Sequence, residues 1–284
     1  MDGDATARSD STAPTGHAPD FRRRAVRPEH RGLVASVVGY RETGIGLNGA
    51  LEMAPLVVPL IISFAEPFEI ALGRAATADD RYGSFTSGLH PGFVTINSGG
   101  GAECIQVDFT PIGAFRFFAL PMREIASRMV TLDEMSDRGL GELRQRLGEE
   151  PDWDRRFDLV EAFLSDRLAR GPEPDAAVAH AYAQILSSGG GRRVTDIARS
   201  LDWSRKHLNQ RFREEIGLGP KAVARMARFN RALALARGDG PRDWADIAAA
   251  CGYSDQAHLV REFHDFAGAS PTAVALPARA PVVA

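Results

Sequence analysis

Hydrophobic and polar residues alternate over short stretches in the first 120 residues, a pattern typical of β-strands buried on one face. The predicted strands comprise residues 33–40, 56–64, 68–72, 93–96 and 103–109. Glycine, proline and asparagine separate them and favour tight turns. Several short strands at this spacing predict an antiparallel β-barrel or sandwich over residues 21–120.

From residue 121 to residue 170 the apolar spacing changes to the three- and four-residue period of amphipathic helices. The longest apolar stripe consists of Trp153, Phe157, Val160, Leu164 and Leu168. This helical connector either packs back onto the barrel or forms a dimer helix, and the spacing fits both arrangements. The sequence Gly-Pro-Glu-Pro at 171–174 breaks any helix and predicts an interdomain linker.

The last hundred residues contain one helical pattern twice, at 197–220 and again at 247–271. The matching pairs are Ile197-Ala198 with Ile247-Ala248, Ser204 with Ser254, His207-Leu208 with His258-Leu259 after a one-residue offset, Phe212 with Phe263, Gly217 with Gly268, and Pro220 with Pro271. A repeat of this kind indicates one supersecondary unit that is present in two copies.

Each copy has the parts of a helix-turn-helix unit. An Ile-Ala pair packs the first helix, and Ser204 or Ser254 is predicted to cap the second helix by accepting hydrogen bonds from its free amides. Gly217 and Gly268 are predicted to end that helix. In such units the exposed N-terminal half of the second helix enters the major groove of DNA.

These motifs resemble the AraC/XylS family of bacterial transcription regulators. The similarity covers residues 175–274, and the sequence Gly-Tyr-Ser-Asp-Gln at 252–256, followed by Leu259, Arg261 and Phe263, looks like the family's signature. The resemblance implies seven C-terminal helices with two helix-turn-helix units joined by a long helix, and an N-terminal effector or dimerisation domain. The predicted fold class is α+β: an N-terminal antiparallel, cupin-like β-barrel with trailing helices, then an all-α domain.

The family pattern and the polar faces of the second helices give the candidate DNA contacts. In the first unit the candidates for base contacts are Lys206, Asn209 and Gln210, and those for phosphate are Arg205, Arg211 and Arg213; in the second unit the candidates are Gln256, His258 and Arg261. Asparagine and glutamine suit adenine edges, whereas arginine suits guanine.

The charge of the chain is distributed unevenly although its net value is only −3. Residues 192–231 hold 11 Lys and Arg against 4 Asp and Glu, whereas residues 1–191 hold 19 against 27 and residues 232–272 hold 3 against 6. We therefore expect the first unit to anchor double-stranded DNA. The second unit then adjusts specificity or contacts RNA polymerase.

The predicted strand at 103–109 has a polar face of Cys104, Gln106 and Asp108. If this face lines the barrel, Gln106 and Asp108 are candidates for binding a small-molecule effector. The favoured interpretation for an antiparallel sheet is that the polar face points outward and is exposed to solvent. The barrel has only His30 and His90 and no His-x-His pair, so the sequence predicts no metal, no cofactor and no catalytic set.

Residues 1–20 and 275–284 are predicted to be tails. No apolar run approaches the roughly 18 residues of a membrane span, so we expect a cytoplasmic protein without a membrane partner. The functional hypothesis is a sequence-specific, homodimeric DNA-binding transcription regulator that is not an enzyme. The alternatives are a barrel enzyme or ligand carrier with accessory DNA binding, and an architectural DNA protein.

Overall fold

A sheet-rich N-terminal region precedes an all-helical C-terminal region. The computed structural model describes residues 17–238 and 243–275. The predicted tails therefore lie largely outside the described residues. The tail prediction is wrong for residues 17–20, because the first strand begins at His17.

All strand pairs in the described sheets are antiparallel. The strands are β1 (His17–Arg24), β2 (Val34–Thr43), β3 (Ala50–Met53), β4 (Val58–Ser63), β5 (Phe68–Leu72), β6 (Arg81–Tyr82), β7 (Phe85–Ser87), β8 (Phe93–Ser98), β9 (Glu103–Phe109) and β10 (Met129–Thr131). One sheet has the order β1-β2-β9-β4-β7-β10 and the other has the order β3-β8-β5-β6. The predicted α+β fold with an antiparallel N-terminal domain is confirmed.

The helices lie mainly after the sheets. They are α1 (Pro111–Phe118), α2 (Leu132–Met135), α3 (Arg138–Glu149), α4 (Trp153–Arg170), α5 (Ala176–Ser187), α6 (Val194–Ser200), α7 (Arg205–Ile216), α8 (Pro220–Arg237), α9 (Trp244–Ala250), α10 (Gln256–Ala267) and α11 (Pro271–Ala275). Of these, α5 to α11 are the seven C-terminal helices that the resemblance implied. Helix α1 lies within the range expected to be barrel, and β10 lies within the range expected to be helical.

Strand β9 is buried on both faces. Ile105, Val107 and Phe109 point to helices α1 and α4, and the Phe109 ring centroid lies 4.6 Å from that of Phe117. Cys104 faces the second sheet and joins the apolar cluster between the two sheets. The expectation that the polar face is exposed to solvent is therefore wrong, because Cys104 and Gln106 point into the space between the two sheets and helices cover the opposite, apolar face.

The apolar stripe of α4 packs against its own barrel. All five residues of the stripe are buried in the shared core. The close approach of α4 to β2 requires glycine at position 39, because a Cβ atom there would lie 2.5 Å from the Trp153 ring. The stripe is thus not free to form a dimer contact, and the interpretation as packing within the chain is correct.

Candidate nucleic-acid interface

Helices α6 and α7 form the first helix-turn-helix unit. Asp202 takes the left-handed conformation in the turn, with φ of 54°. The Ser204 Oγ atom accepts a hydrogen bond from the His207 amide at 3.1 Å and caps α7. Leu208 and Phe212 are fully buried, so they fix the side of α7 that faces the core. The predicted Ser204 cap is confirmed.

The opposite side of α7 carries an outer stripe, which we define as Lys206, Gln210 and Arg213. These residues are four and three positions apart, so they project from one face of the helix, and all three are exposed. Arg205 is exposed in the first turn, which faces the groove in this class of unit. Asn209 is also exposed, but its Oδ1 atom lies 2.5 Å from the point where a Cβ atom on Gly219 would stand. Asn209 thus lies beside the outer stripe, next to Gly219 at the start of α8, and is not part of the stripe.

Arg211 does not belong to the exposed face. Its Nη2 atom lies 2.8 Å from Glu215 Oε1 and 3.2 Å from Asp175 Oδ2. Burial raises the pKa of Glu215, whereas a hydrogen bond from the Asp175 amide and the Arg211 charge oppose that rise. The structure therefore places Arg211, expected to contact phosphate, in an ion-pair network that holds α7 against the start of α5.

Helices α9 and α10 form the second unit, and its cap differs from the prediction. Gly252 takes the left-handed turn position with φ of 75°. The Asp255 Oδ1 atom accepts a hydrogen bond from the His258 amide at 2.6 Å, so Asp255 caps α10. The prediction that Ser254 is the cap is wrong. Ser254 lies one residue further out and its hydroxyl contacts His258 Nδ1 at 3.2 Å.

We expect Asp255→Ala to lower the melting temperature more than Ser254→Ala, because only the former leaves the first-turn amide of His258 without its acceptor. The amide hydrogen bond from His258 lowers the pKa of Asp255. Its stabilisation is therefore complete above the ordinary Asp pKa and disappears as the pH falls through the lowered value. Thermal melts of both variants at neutral and acidic pH test this. Equal losses at neutral pH would contradict the assignment of the cap.

The outer stripe of α10 consists of Ala257, Arg261 and His264. Counting from the first helical residue, Arg205 or Gln256, these positions match Lys206, Gln210 and Arg213. All three are exposed. The sequence-based set included Arg261 and the exposed Gln256 but missed Ala257 and His264. The alignment of His207-Leu208 with His258-Leu259, continued along the helix, pairs His264 with Arg213. The sequence therefore contained the signal for His264.

His258 is engaged within the second unit. Its Nε2 atom lies 3.5 Å from the Glu262 carboxylate, and its ring packs edge-on against Tyr253 at a centroid distance of 5.2 Å. Glu262 is buried and accepts a hydrogen bond from Arg225 on α8 at 2.8 Å. Each second helix is thus tied to a neighbouring helix through a buried carboxylate, Glu215 in the first unit and Glu262 in the second.

The N-terminal domain touches the C-terminal ends of both second helices. Arg123 forms an ion pair with Glu214 on α7. At the end of α10, the Phe93 ring of β8 lies 3.0 Å from the point where a Cβ atom on Gly268 would stand. Asn230 of α8 donates a hydrogen bond to the Ala54 carbonyl at 3.2 Å. These contacts fix the ends of the two helices and leave their outer stripes exposed.

The space between the two sheets is a cavity. The volume in which the centre of a water molecule can lie is about 80 Å³. This is several times the roughly 10–15 Å³ that one water requires on the same measure. Gln106 lines this cavity, and its Nε2 atom donates to Asp108 Oδ1 at 2.8 Å. Asp108 is buried behind it and also accepts from Ser36 at 2.5 Å. The two residues predicted to bind an effector are therefore linked, and Gln106 is the one that reaches the cavity.

Within the described ranges, no three His, Cys, Asp or Glu side chains lie close enough together to hold a metal ion. Over the same part of the chain, no helix is long and apolar enough to cross a membrane.

Two curated proteins and one solved structure are similar to parts of this chain. The Msm operon regulatory protein of Streptococcus mutans is 26% identical over 152 residues, which cover 52% of this chain and 54% of that protein. The transcriptional activator RhaR of Pectobacterium atrosepticum is 28% identical over 118 residues, covering 39% and 41%. The chain thus spans about half the length of these relatives. Among solved structures, ToxT from Vibrio cholerae is 12% identical with a TM-score of 0.44, covering 84% of this chain and 96% of that one.

A protein-family model described as "Helix-turn-helix domain" matches residues 178–275. This range begins in α5 and ends with α11, so it contains both units and the long helix between them. The C-terminal region of the chain is therefore a helix-turn-helix domain.

Proposed function

We propose that this protein is a sequence-specific transcription regulator that reads double-stranded DNA with α7 and α10. The observation that carries the proposal is the pair of exposed outer stripes on two helix-turn-helix units within one chain. Base-edge readout requires side chains that project away from the helix that holds them. Lys206, Gln210 and Arg213 meet this requirement in the first unit, and Arg261 and His264 meet it in the second.

The two units contribute unequally to this proposed interface. The outer stripe of α7 offers two permanent cations, whereas that of α10 offers Arg261 together with an alanine and a histidine. Phosphate contacts dominate affinity because each neutralised phosphate releases counterions. We therefore assign most of the affinity to α7 and a share of the specificity to α10. Arg213 rather than Arg211 is the residue whose substitution tests this division, since Arg211 is held by Asp175 and Glu215.

The N-terminal domain acts in this proposal as a sensor of a small molecule. Strands β3 and β8 line the cavity with Glu52, Val94 and Ile96 and also pack against α10. A ligand in the cavity would therefore alter the position of strands that support a DNA-reading helix. The alternative of a barrel enzyme gains no support from the cavity, where burial raises the pKa of the Cys104 thiol and keeps it in the unreactive protonated form.

The proposal also covers the cellular location of the protein, its contact with RNA polymerase and its oligomeric state. We place it in the cytoplasm, where it reaches DNA and RNA polymerase, and we assign it a homodimeric state. Since the apolar stripe of α4 is buried against its own barrel, the dimer contact uses other residues. Analytical ultracentrifugation of the full chain measures the oligomeric state directly.

Selection of bound duplexes from a random library tests the proposed function. We expect one recurrent motif with two half-sites about one helical turn apart. Affinity for that motif should exceed affinity for random duplex by a factor of about 10³ or more at physiological salt. A library that yields no motif, with equal affinity for all duplexes, would show a general DNA binder and contradict the proposal.

A further inference from the structure

The cavity between the sheets is mainly apolar and carries few polar side chains. Most of its lining is apolar, including Leu47, Ile61, Phe68 and Val94. No lysine or arginine is among the lining residues that the structure describes. An anionic ligand would therefore leave water without meeting a cation, which is strongly unfavourable in an apolar site.

The polar groups of the lining differ in whether they have a partner within the chain. Both ring nitrogens of His90, one a donor and one an acceptor in the neutral ring, are buried without a hydrogen-bond partner. The Tyr40 hydroxyl donates to the buried Glu42 carboxylate at 2.5 Å. Gln106 gives an amide hydrogen to Asp108, so its carbonyl oxygen remains as an acceptor. The Glu52 carboxyl group, on β3, lines the same space. It forms no hydrogen bond or ion pair with another described residue.

We infer that the cavity binds a small, mainly apolar molecule that carries a protonated amine, with Glu52 as the partner of the ammonium group. This inference rests on the sensing role proposed above and specifies the class of effector. The Gln106 carbonyl oxygen supplies a second acceptor, and the apolar walls hold the body of the ligand. An apolar pocket with a few convergent polar groups is the usual form of such sites.

The electrostatic surroundings of Glu52 make amine binding dependent on pH. Burial, and secondarily the charge of Asp108, raise the pKa of Glu52 to about 8. The other titratable groups at the cavity are Tyr40, His90 and Cys104, and burial lowers the pKa of His90, so its ring is neutral near pH 7. At pH 7 the empty cavity therefore contains a protonated Glu52. An arriving ammonium group favours the carboxylate and expels that proton, so affinity should rise with pH up to about 8.

Three probes with the same phenyl body separate the ligand classes: 2-phenylethylamine, 2-phenylethanol and 3-phenylpropanoate. Isothermal titration of the full-length protein should show the amine binding about tenfold more tightly than the alcohol, since hydrogen bonds to a charged partner are about twice as strong as neutral ones. We expect no detectable binding of the carboxylate. Equal affinities, or a preference for the carboxylate, would overturn the inference.

Two variants and one wild-type measurement complete the test. Glu52→Gln should lose the preference for the amine, whereas Glu149→Gln, which removes an exposed carboxylate from α3, should keep it. If Glu52→Gln fails to fold, titration of the wild type with 2-phenylethylamine and 2-phenylethanol at several pH values between about 5 and 8 decides: affinity should rise with pH for the amine alone, and equal affinities for the two at every pH would overturn the inference. DNA affinity is measured on the same samples. Intact DNA recognition without amine preference would reject the ligand class and leave the proposed regulator standing.

Discussion

Replacing Lys206, Gln210 and Arg213 together with alanine should lower affinity for the selected DNA site by a factor of about 100 or more. Each good contact with a base edge contributes about 1–3 kcal/mol, and the three residues form the outer stripe of α7. Removal of two cations should also reduce the slope of log affinity against log salt by about 2. Fluorescence anisotropy across a salt series measures both quantities.

A matched control removes the same kinds of side chain from another exposed helix. Arg138, Gln145 and Arg146 lie on α3 and are all exposed. Their joint replacement by alanine changes the net charge by the same two units, so any general effect of charge is common to both variants. Affinity of this control should stay within about twofold of the wild type. Equal losses in both variants would show that DNA responds to overall charge and would remove α7 from the interface.

The helix-turn-helix units could be predicted closely because their determinants are local in sequence. The apolar pair of the first helix, the turn residue and the Leu and Phe of the second helix fall within some 25 residues and recur in the second copy. The turn between the two helices is also a local feature, since Asp202 and Gly252 both have positive φ at the matching position. The Ser254 cap was wrong because Asp255, an equally good cap, stands beside it.

Features that depend on distant residues could not be predicted in this way. Arg211 looks like a phosphate contact on α7, and only the folded chain brings Asp175, 36 positions away, beside it. Strand β1 escaped prediction because Phe21 is its one large apolar residue. It is held by the backbone ladder to β2 and by the ion pair of Arg24 with Asp158 on α4. Sequence periodicity carries no signal for such contacts.

Gly190→Ala should reduce the free energy of unfolding by about 2–5 kcal/mol. Gly190 has φ of 74°, a conformation that costs a residue with a Cβ atom about 1–2 kcal/mol. Its Cβ atom would also stand 2.0 Å from the carbonyl oxygen of Ala224 in α8. That oxygen belongs to a helix backbone, so it cannot move aside as a flexible side chain would, and overpacking of this kind adds about 1–3 kcal/mol.

Gly252→Ala provides the matched control for the backbone conformation. Gly252 has nearly the same φ, 75°, yet nothing lies within 4 Å of the point where its Cβ atom would stand. Both substitutions also restrict the unfolded chain to a similar extent, so this contribution cancels in the comparison. Urea denaturation at neutral pH should therefore show a loss of about 1 kcal/mol for Gly252→Ala and a clearly larger loss for Gly190→Ala.

The difference between the two glycine variants measures how tightly the turn between α5 and α6 is seated on α8. Because that contact joins the first helix-turn-helix unit to the long helix, a strained Gly190→Ala protein should also bind DNA less tightly. The Gly252→Ala protein should retain its affinity wherever it remains folded. Equal losses of stability would mean that α8 yields to the added methyl group. The relative placement of the two units would then rest on the buried Glu215 and Glu262 networks and on the contacts with the N-terminal domain.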